Sequence, residues 1–194
     1  MAQELAQEVI DEFVVASHHD LPRVQEMLTE SPGLLNENAQ WIETPLQAAA
    51  HVGNRPIAEF LLGQGAPLDI CTAAMLGRAD EVRAMLADDP ELAHATGAHN
   101  IPVLFYPAIS GNADIAQILL DAGADVNAGE GGNTALHGAA LVGQTAMVRW
   151  LLDHDANPYA EDYEGKTPLD RAEANHHDEA AALLKPFFES AGGT

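Results

Sequence analysis

The 194 residues are 47% hydrophobic and carry 30 acidic against 8 basic side chains, a formal charge of −22. No Lys or Arg occurs from Ala84 to Val148, which excludes the clustered cations that nucleic acid and anionic membranes demand and leaves a basic protein partner or a small ligand as the better fit. Cys71 is the only cysteine, so an intrachain disulfide is excluded, and no apolar run approaches the roughly 20 residues of a membrane span.

In chain order, the first segment, MAQELAQEVIDEF, is acidic and amphipathic. It lacks the basic start and apolar run of a secretory signal, and the reading is a soluble, cytoplasmic monomer. A first helix pair turns at His19, restarts at Pro22 and carries Met27-Leu28 before stopping at Ser31-Pro32-Gly33. A second opens with Thr44-Pro45-Leu46-Gln47-Ala48-Ala49-Ala50, turns at Gly53, carries Leu61-Leu62 and ends at Gly65-Ala66-Pro67-Leu68-Asp69. A third turns at Gly77, carries Met85-Leu86 and stops at Asp89-Pro90; a fourth turns at Gly111, carries Leu119-Leu120 and ends at Gly123-Ala124-Asp125-Val126-Asn127. The fifth repeats the opening as Thr134-Ala135-Leu136-His137-Gly138-Ala139-Ala140, turns at Gly143 and carries Leu151-Leu152. The sixth opens with Thr167-Pro168-Leu169, turns at His176 and carries Leu183-Leu184, with Lys185-Pro186 closing its last helix.

The turn positions His19, Gly53, Gly77, Gly111, Gly143 and His176 are spaced by 34, 24, 34, 32 and 33 residues. A period in this range signals stacked repeats. The Thr hydroxyls sit where they cap inner helices, and Pro45, Pro168, Pro22 and Pro56 fall in first turns, where a missing N–H costs nothing. Gly65 and Gly123 suit a left-handed helix end, and Asp155 stands in that slot at some strain. Each pair leaves an apolar face that only the next pair can cover.

The openings, the turn slot, the paired Leu and the Gly-Ala-Asp-Val-Asn ending together resemble the ankyrin repeat over nearly the whole chain. The resemblance implies an all-α solenoid of six helix-turn-helix repeats with short β-hairpin fingers, at 1–35, 36–67, 68–93, 94–126, 127–159 and 160–194. About ten residues fall out of the 24-residue spacing, which implies a missing finger between repeats two and three. The remaining fingers are expected near Asn36–Glu43, His94–Ile101, Asn127–Asn133 and Ala160–Lys166.

No enzyme constellation emerges. His18-His19 and His176-His177 are adjacent pairs, and neighbouring helical residues do not face one another. They read as turn residues, and no metal is expected because no clustered Cys/His spacing occurs. His137 reads as a structural donor to neighbouring backbone. Cys71, in the slot of that signature His, is expected to be half-buried and unreactive. Ser110 lies outside a nucleophile elbow, and Gly129-Glu130-Gly131-Gly132-Asn133 lacks the Lys of a phosphate loop. No cofactor is expected.

Carried over from the family, the concave face comprises fingers and inner helices. The fingers contribute Gln40, Trp41, Glu43, His99 and Ile101, with Glu130, Asn133, Tyr163, Glu164 and Lys166 further along. The inner helices contribute His51, Val52, Met75, Leu76, Ile109 and Ser110, then Leu141 and Val142, while Phe105-Tyr106 begins the helix beyond the notch left by the missing finger. The reading is a protein-interaction module, an adaptor or inhibitor, with Trp41 as anchor at that notch. The alternative is a small-ligand binder using the same notch.

Overall fold

The computed structural model describes residues 5–189. These residues form twelve α-helices, with no named strand among them. In order they are α1 (Gln7–Ala16), α2 (Leu21–Glu30), α3 (Pro45–His51), α4 (Arg55–Gly63), α5 (Ile70–Leu76), α6 (Ala79–Asp88), α7 (Phe105–Ser110), α8 (Ala113–Asp121), α9 (Ala135–Leu141), α10 (Thr145–Asp153), α11 (Pro168–Ala174) and α12 (Asp178–Glu189). Consecutive helices pack as antiparallel pairs. The odd-numbered helices also pack against one another in sequence, from α1 against α3 to α9 against α11, and α2 meets α4, α6 meets α8 and α10 meets α12. The result is a two-layer stack with a single continuous core.

The helix starts follow the local chemistry. Thr44, Thr134 and Thr167 cap α3, α9 and α11, each in a reciprocal box with the residue three positions on: Gln47, His137 and Asp170. Asp20, Asn54 and Asn112 cap the outer helices α2, α4 and α8. Asp155 adopts φ of 63° in the slot of Gly65 and Gly123, and His176 φ of 60° in the slot of Gly53, Gly77, Gly111 and Gly143, and this left-handed backbone carries strain for a side chain with a Cβ. Asn54 donates back to the His18 carbonyl at 3.1 Å and Gln144 to the Ile109 carbonyl at 3.2 Å, so the turns of neighbouring pairs are stitched together.

Two expectations about secondary structure are corrected. The fingers are not β-hairpins: the connections are tight turns, and the one bridge outside helices pairs Thr96 with Pro102. The turns close over too few residues to build a ladder, as the Ala39 N–H bonds to the Glu43 carbonyl, Gly97 to Ile101 and Asp162 to Lys166. The last helix does not close at Lys185-Pro186 but continues through Pro186 to Glu189. Between α4 and α5 the chain has only Gln64–Asp69, and Asp69 caps α5 directly by accepting the Thr72 N–H at 2.7 Å.

Candidate functional site

Short inner helices place their last residues on one face of the stack, beside the turns. There a groove of about 1000 Å³ runs from His51 and Val52 at the end of α3, past Phe105 and Ile109 of α7 and Leu141 and Val142 at the end of α9, to Tyr163 and Arg171. The Gly129–Asn133 segment and the His99–Ile101 turn form its rim. Val52, Leu141, Val142 and Tyr163 are large apolar or aromatic side chains left exposed along it. Trp41 is also exposed, on the adjacent Ala39–Glu43 turn.

Several residues expected on the open face are removed from it: Met75, Leu76 and Tyr106 are buried and line no part of the groove, while Ile101 and Ile109 are buried but still border it. The short α4–α5 link sinks α5 between α3 and α7, so its inner-facing side chains become core and not floor. Tyr106 is wholly buried and its hydroxyl faces Gly97 so closely that any Cβ there would collide with it. Cys71 is buried instead of half-buried, and burial pushes its thiol far above the ordinary range, which suppresses thiolate chemistry. Gln40 is exposed, but its backbone N–H donates to Asp11 Oδ1 at 2.9 Å and its side-chain amide donates to Asp11 Oδ2, which pins the turn to α1. The Ser110 hydroxyl only bonds back to the Pro107 carbonyl, at 3.3 Å.

Glu43 was expected as a contact residue, and it is instead 1% exposed. Around its carboxylate stand three imidazoles. His51 Nδ1 lies 2.9 Å from Oε1, His99 Nε2 3.6 Å from Oε1 and His18 Nε2 3.7 Å from Oε2. The rings meet edge to face, with centroids 5.0 Å apart for His18 and His51 and 5.3 Å for His51 and His99. The Trp41 indole N–H donates to Oε2 at 2.7 Å. Burial raises the Glu43 pKa, but the nearby His51 and the Trp41 bond outweigh it and hold the carboxyl below its ordinary value. His18 was missed as a site residue because its pairing with His19 reads as a turn. What could have found it is its slot one repeat, 34 residues, before Val52, itself expected on the open face beside His51.

At the far end, Asp162 is also buried, accepts the N–H groups of Glu164 and Lys166 at 2.8 and 3.0 Å, and pairs with Arg171 Nη2 at 2.5 Å. Burial pushes its carboxyl up, and those N–H bonds and Arg171 more than reverse the effect. His137 bonds across to the next unit, Nε2 to the Lys166 carbonyl at 3.0 Å, and burial holds the ring below its ordinary pKa. The basic side chains form no free patch: Arg23, Arg55, Arg78, Arg83, Arg171 and Lys185 all pair with acids.

A stack of helix pairs with a solvent-facing groove and no assembled nucleophile among the described residues defines a repeat-scaffold protein. A family model described as ankyrin repeats in three copies matches residues 104–189, and one described as an ankyrin repeat matches residues 43–73, together more than half of the chain. The chain belongs to the ankyrin-repeat family. It is similar to a putative ankyrin repeat-containing protein of Treponema pallidum (strain Nichols), 27% identical over 169 residues, 81% of this chain and 56% of that protein. Inversin of Gallus gallus is 32% identical over 123 residues, 63% of this chain and 11% of that protein. The E3 ubiquitin-protein ligase Ufd4 of Drosophila melanogaster is 37% identical over 86 residues, 43% of this chain and 3% of that protein. The chain thus spans well under two thirds of the length of these relatives. Ankyrin repeats are in general protein-interaction modules, and proteins built from them are in general non-enzymatic scaffolds. No helix among the described residues is long and apolar enough to cross a membrane.

Proposed function

We propose that this chain is a protein-interaction module that takes an extended segment of a basic protein along its concave groove. The observation that carries this reading is the row of exposed apolar side chains, Val52, Leu141, Val142 and Tyr163, lying in one groove on a chain of net charge −22. Water over such a row is released on association, which drives it, while the acidic field brings cationic segments in quickly. The groove is at the upper end of small-molecule pocket volumes and draws its walls from four inner helices. Its length favours a peptide segment over a compact ligand. An adaptor or inhibitor role, and action as a cytoplasmic monomer, follow from the same reading.

Selection of peptides from a random display library on the full chain tests this. Peptides with Lys or Arg flanking apolar residues are expected, with affinity that falls as salt rises. Val142→Asp, in the groove, should abolish binding. Trp41→Ala should weaken it by about 2 kcal/mol if the Trp41 turn is an anchor, whereas Glu164→Ala should cost far less. Selected peptides that lack cations, or that bind Val142→Asp as well as the parent, would refute the groove as the docking surface.

A further inference from the structure

The cluster around Glu43 poses a problem of charge. The His18 Nδ1 lies 3.0 Å from the Val14 carbonyl and 3.2 Å from that of Val15. Two carbonyl acceptors take the ring hydrogen on Nδ1, so Nε2 is the atom left to face the Glu43 carboxylate. The His51 Nδ1–H is aimed at the Gln47 carbonyl, 3.2 Å away. Glu43 Oε1 is therefore a buried carboxylate oxygen with no hydrogen-bond donor aligned to it, although two imidazole nitrogens lie within 3.6 Å. Buried polar atoms left in this condition are costly. Imidazole nitrogens and a carboxylate that converge at these distances form a donor set for a cation.

The geometry points to a divalent-metal site of the zinc type, formed by His18 Nε2, Glu43 and His51; His99 Nε2, 3.6 Å from Glu43 Oε1, stands outside that group and would have to swing inward to serve as a fourth ligand. The donor atoms of His18, Glu43 and His51 all lie within 4.8 Å of one another. Bonds of about 2.0–2.1 Å in a tetrahedral shell set donor atoms roughly 3.3 Å apart, so the 3.7 Å from His18 Nε2 to Glu43 needs a small adjustment, and donor atoms that lie within 4.8 Å of one another draw together around the ion. His51 opens from 2.9 Å, and its ring hydrogen moves to Nε2 to free Nδ1 for the ion. The backbone bond at His18 Nδ1 is the kind that orients a ligating ring and raises its basicity. Imidazole with carboxylate suits zinc over calcium or magnesium, which favour oxygen shells. Such an ion ties the end of α1, the Ala39–Glu43 turn, the end of α3 and the His99 turn to one point. This site stands independently of the peptide-binding proposal.

Titration of the full metal-free chain with Zn²⁺ against a chromophoric chelator tests it, with Co²⁺ absorption as a second probe. One ion per chain and an intense visible Co²⁺ spectrum of tetrahedral type are expected. His18→Ala and His51→Ala should each weaken binding at least about ten-fold, since removing even an orienting partner does as much. Glu43→Gln, which keeps the shape of the side chain, should do the same, and His99→Ala should weaken binding less. His19→Ala, one residue away and exposed, should leave it unchanged. Helical circular dichroism qualifies each variant. If His18→Ala or His51→Ala does not fold, Glu43→Gln and His99→Ala decide. Absence of stoichiometric Zn²⁺ binding, affinity unchanged in every folded cluster variant, or an octahedral Co²⁺ spectrum would each overturn the assignment.

Discussion

The Ala39–Glu43 and Asp162–Lys166 turns share a backbone design. Each closes with an N–H to C=O bond across four residues, from Ala39 to Glu43 and from Asp162 to Lys166, and each holds one buried carboxylate. They differ in what meets that charge. Asp162 faces Arg171, a cation at every accessible pH, and two backbone N–H groups complete it. Glu43 faces three imidazoles and one indole, none of which carries the permanent charge of a guanidinium. The same fold position thus makes a structural lock at one end of the groove and a chemically open cluster at the other.

The largest effects should come from the core that both ends share. Leu61 and Leu119 occupy equivalent slots on outer helices and are fully buried. Leu61→Ala and Leu119→Ala should each destabilise by roughly 2–5 kcal/mol, and by similar amounts if stability is spread along the stack. Denaturant melts in which one substitution costs little would show that the two halves unfold separately.

The next effect separates the two turns. Asp162→Ala strands two N–H groups, leaves Arg171 only its exposed partner Glu164, and should cost about 3 kcal/mol. Glu43→Ala removes a carboxylate that holds no guanidinium and only one indole N–H, and should cost only about 1 kcal/mol in metal-free protein. Equal losses would mean that the imidazoles neutralise Glu43 as fully as Arg171 neutralises Asp162.

Acid should act on the two ends more than on the middle, since Glu43 as well as Asp162 is held below its ordinary pKa, and His137 adds an earlier loss at the C-terminal end. Asp162 and His137 both have folded-state pKa values below their unfolded ones. Each therefore contributes stability that is complete above the unfolded value and is lost as pH falls through the folded one. For His137 the loss begins as pH drops below 6.5, and for Asp162 below 3.8. Hydrogen exchange followed from neutrality into acid should show α11 and α12 losing protection before α7 and α8; a uniform loss would break this expectation. Glu161 lies in the same region, but its side chain is exposed. Glu161→Ala should shift stability by no more than about 0.5 kcal/mol. A large shift there would move the lock away from Asp162.

Much of the fold was legible because its signals are local. Thr44, Thr134 and Thr167 cap their helices as read, and the structure adds that each cap is closed reciprocally by Gln47, His137 or Asp170. His137 bonds to backbone of the next unit as expected. The candidate site was legible only in part. Trp41, Val52, Leu141, Val142 and Tyr163 are exposed where the family resemblance put them. Met75, Leu76, Tyr106 and Ile109 were not separable from them, because a position on an inner helix does not say how deeply that helix sits.

By itself the sequence determined the period, the helix starts, the left-handed slots at Asp155 and His176 and the acidic surface. All of these depend on residues within a few positions of one another or on simple sums of charge. Tertiary structure alone decided two things. Packing through the short Gln64–Asp69 link set the depth of α5 and turned expected groove floor into core. Stacking of successive units brought His18, Glu43, His51 and His99 to one point. These four are distant in sequence, and only the rotation of each helix pair against the next determines which side chains converge.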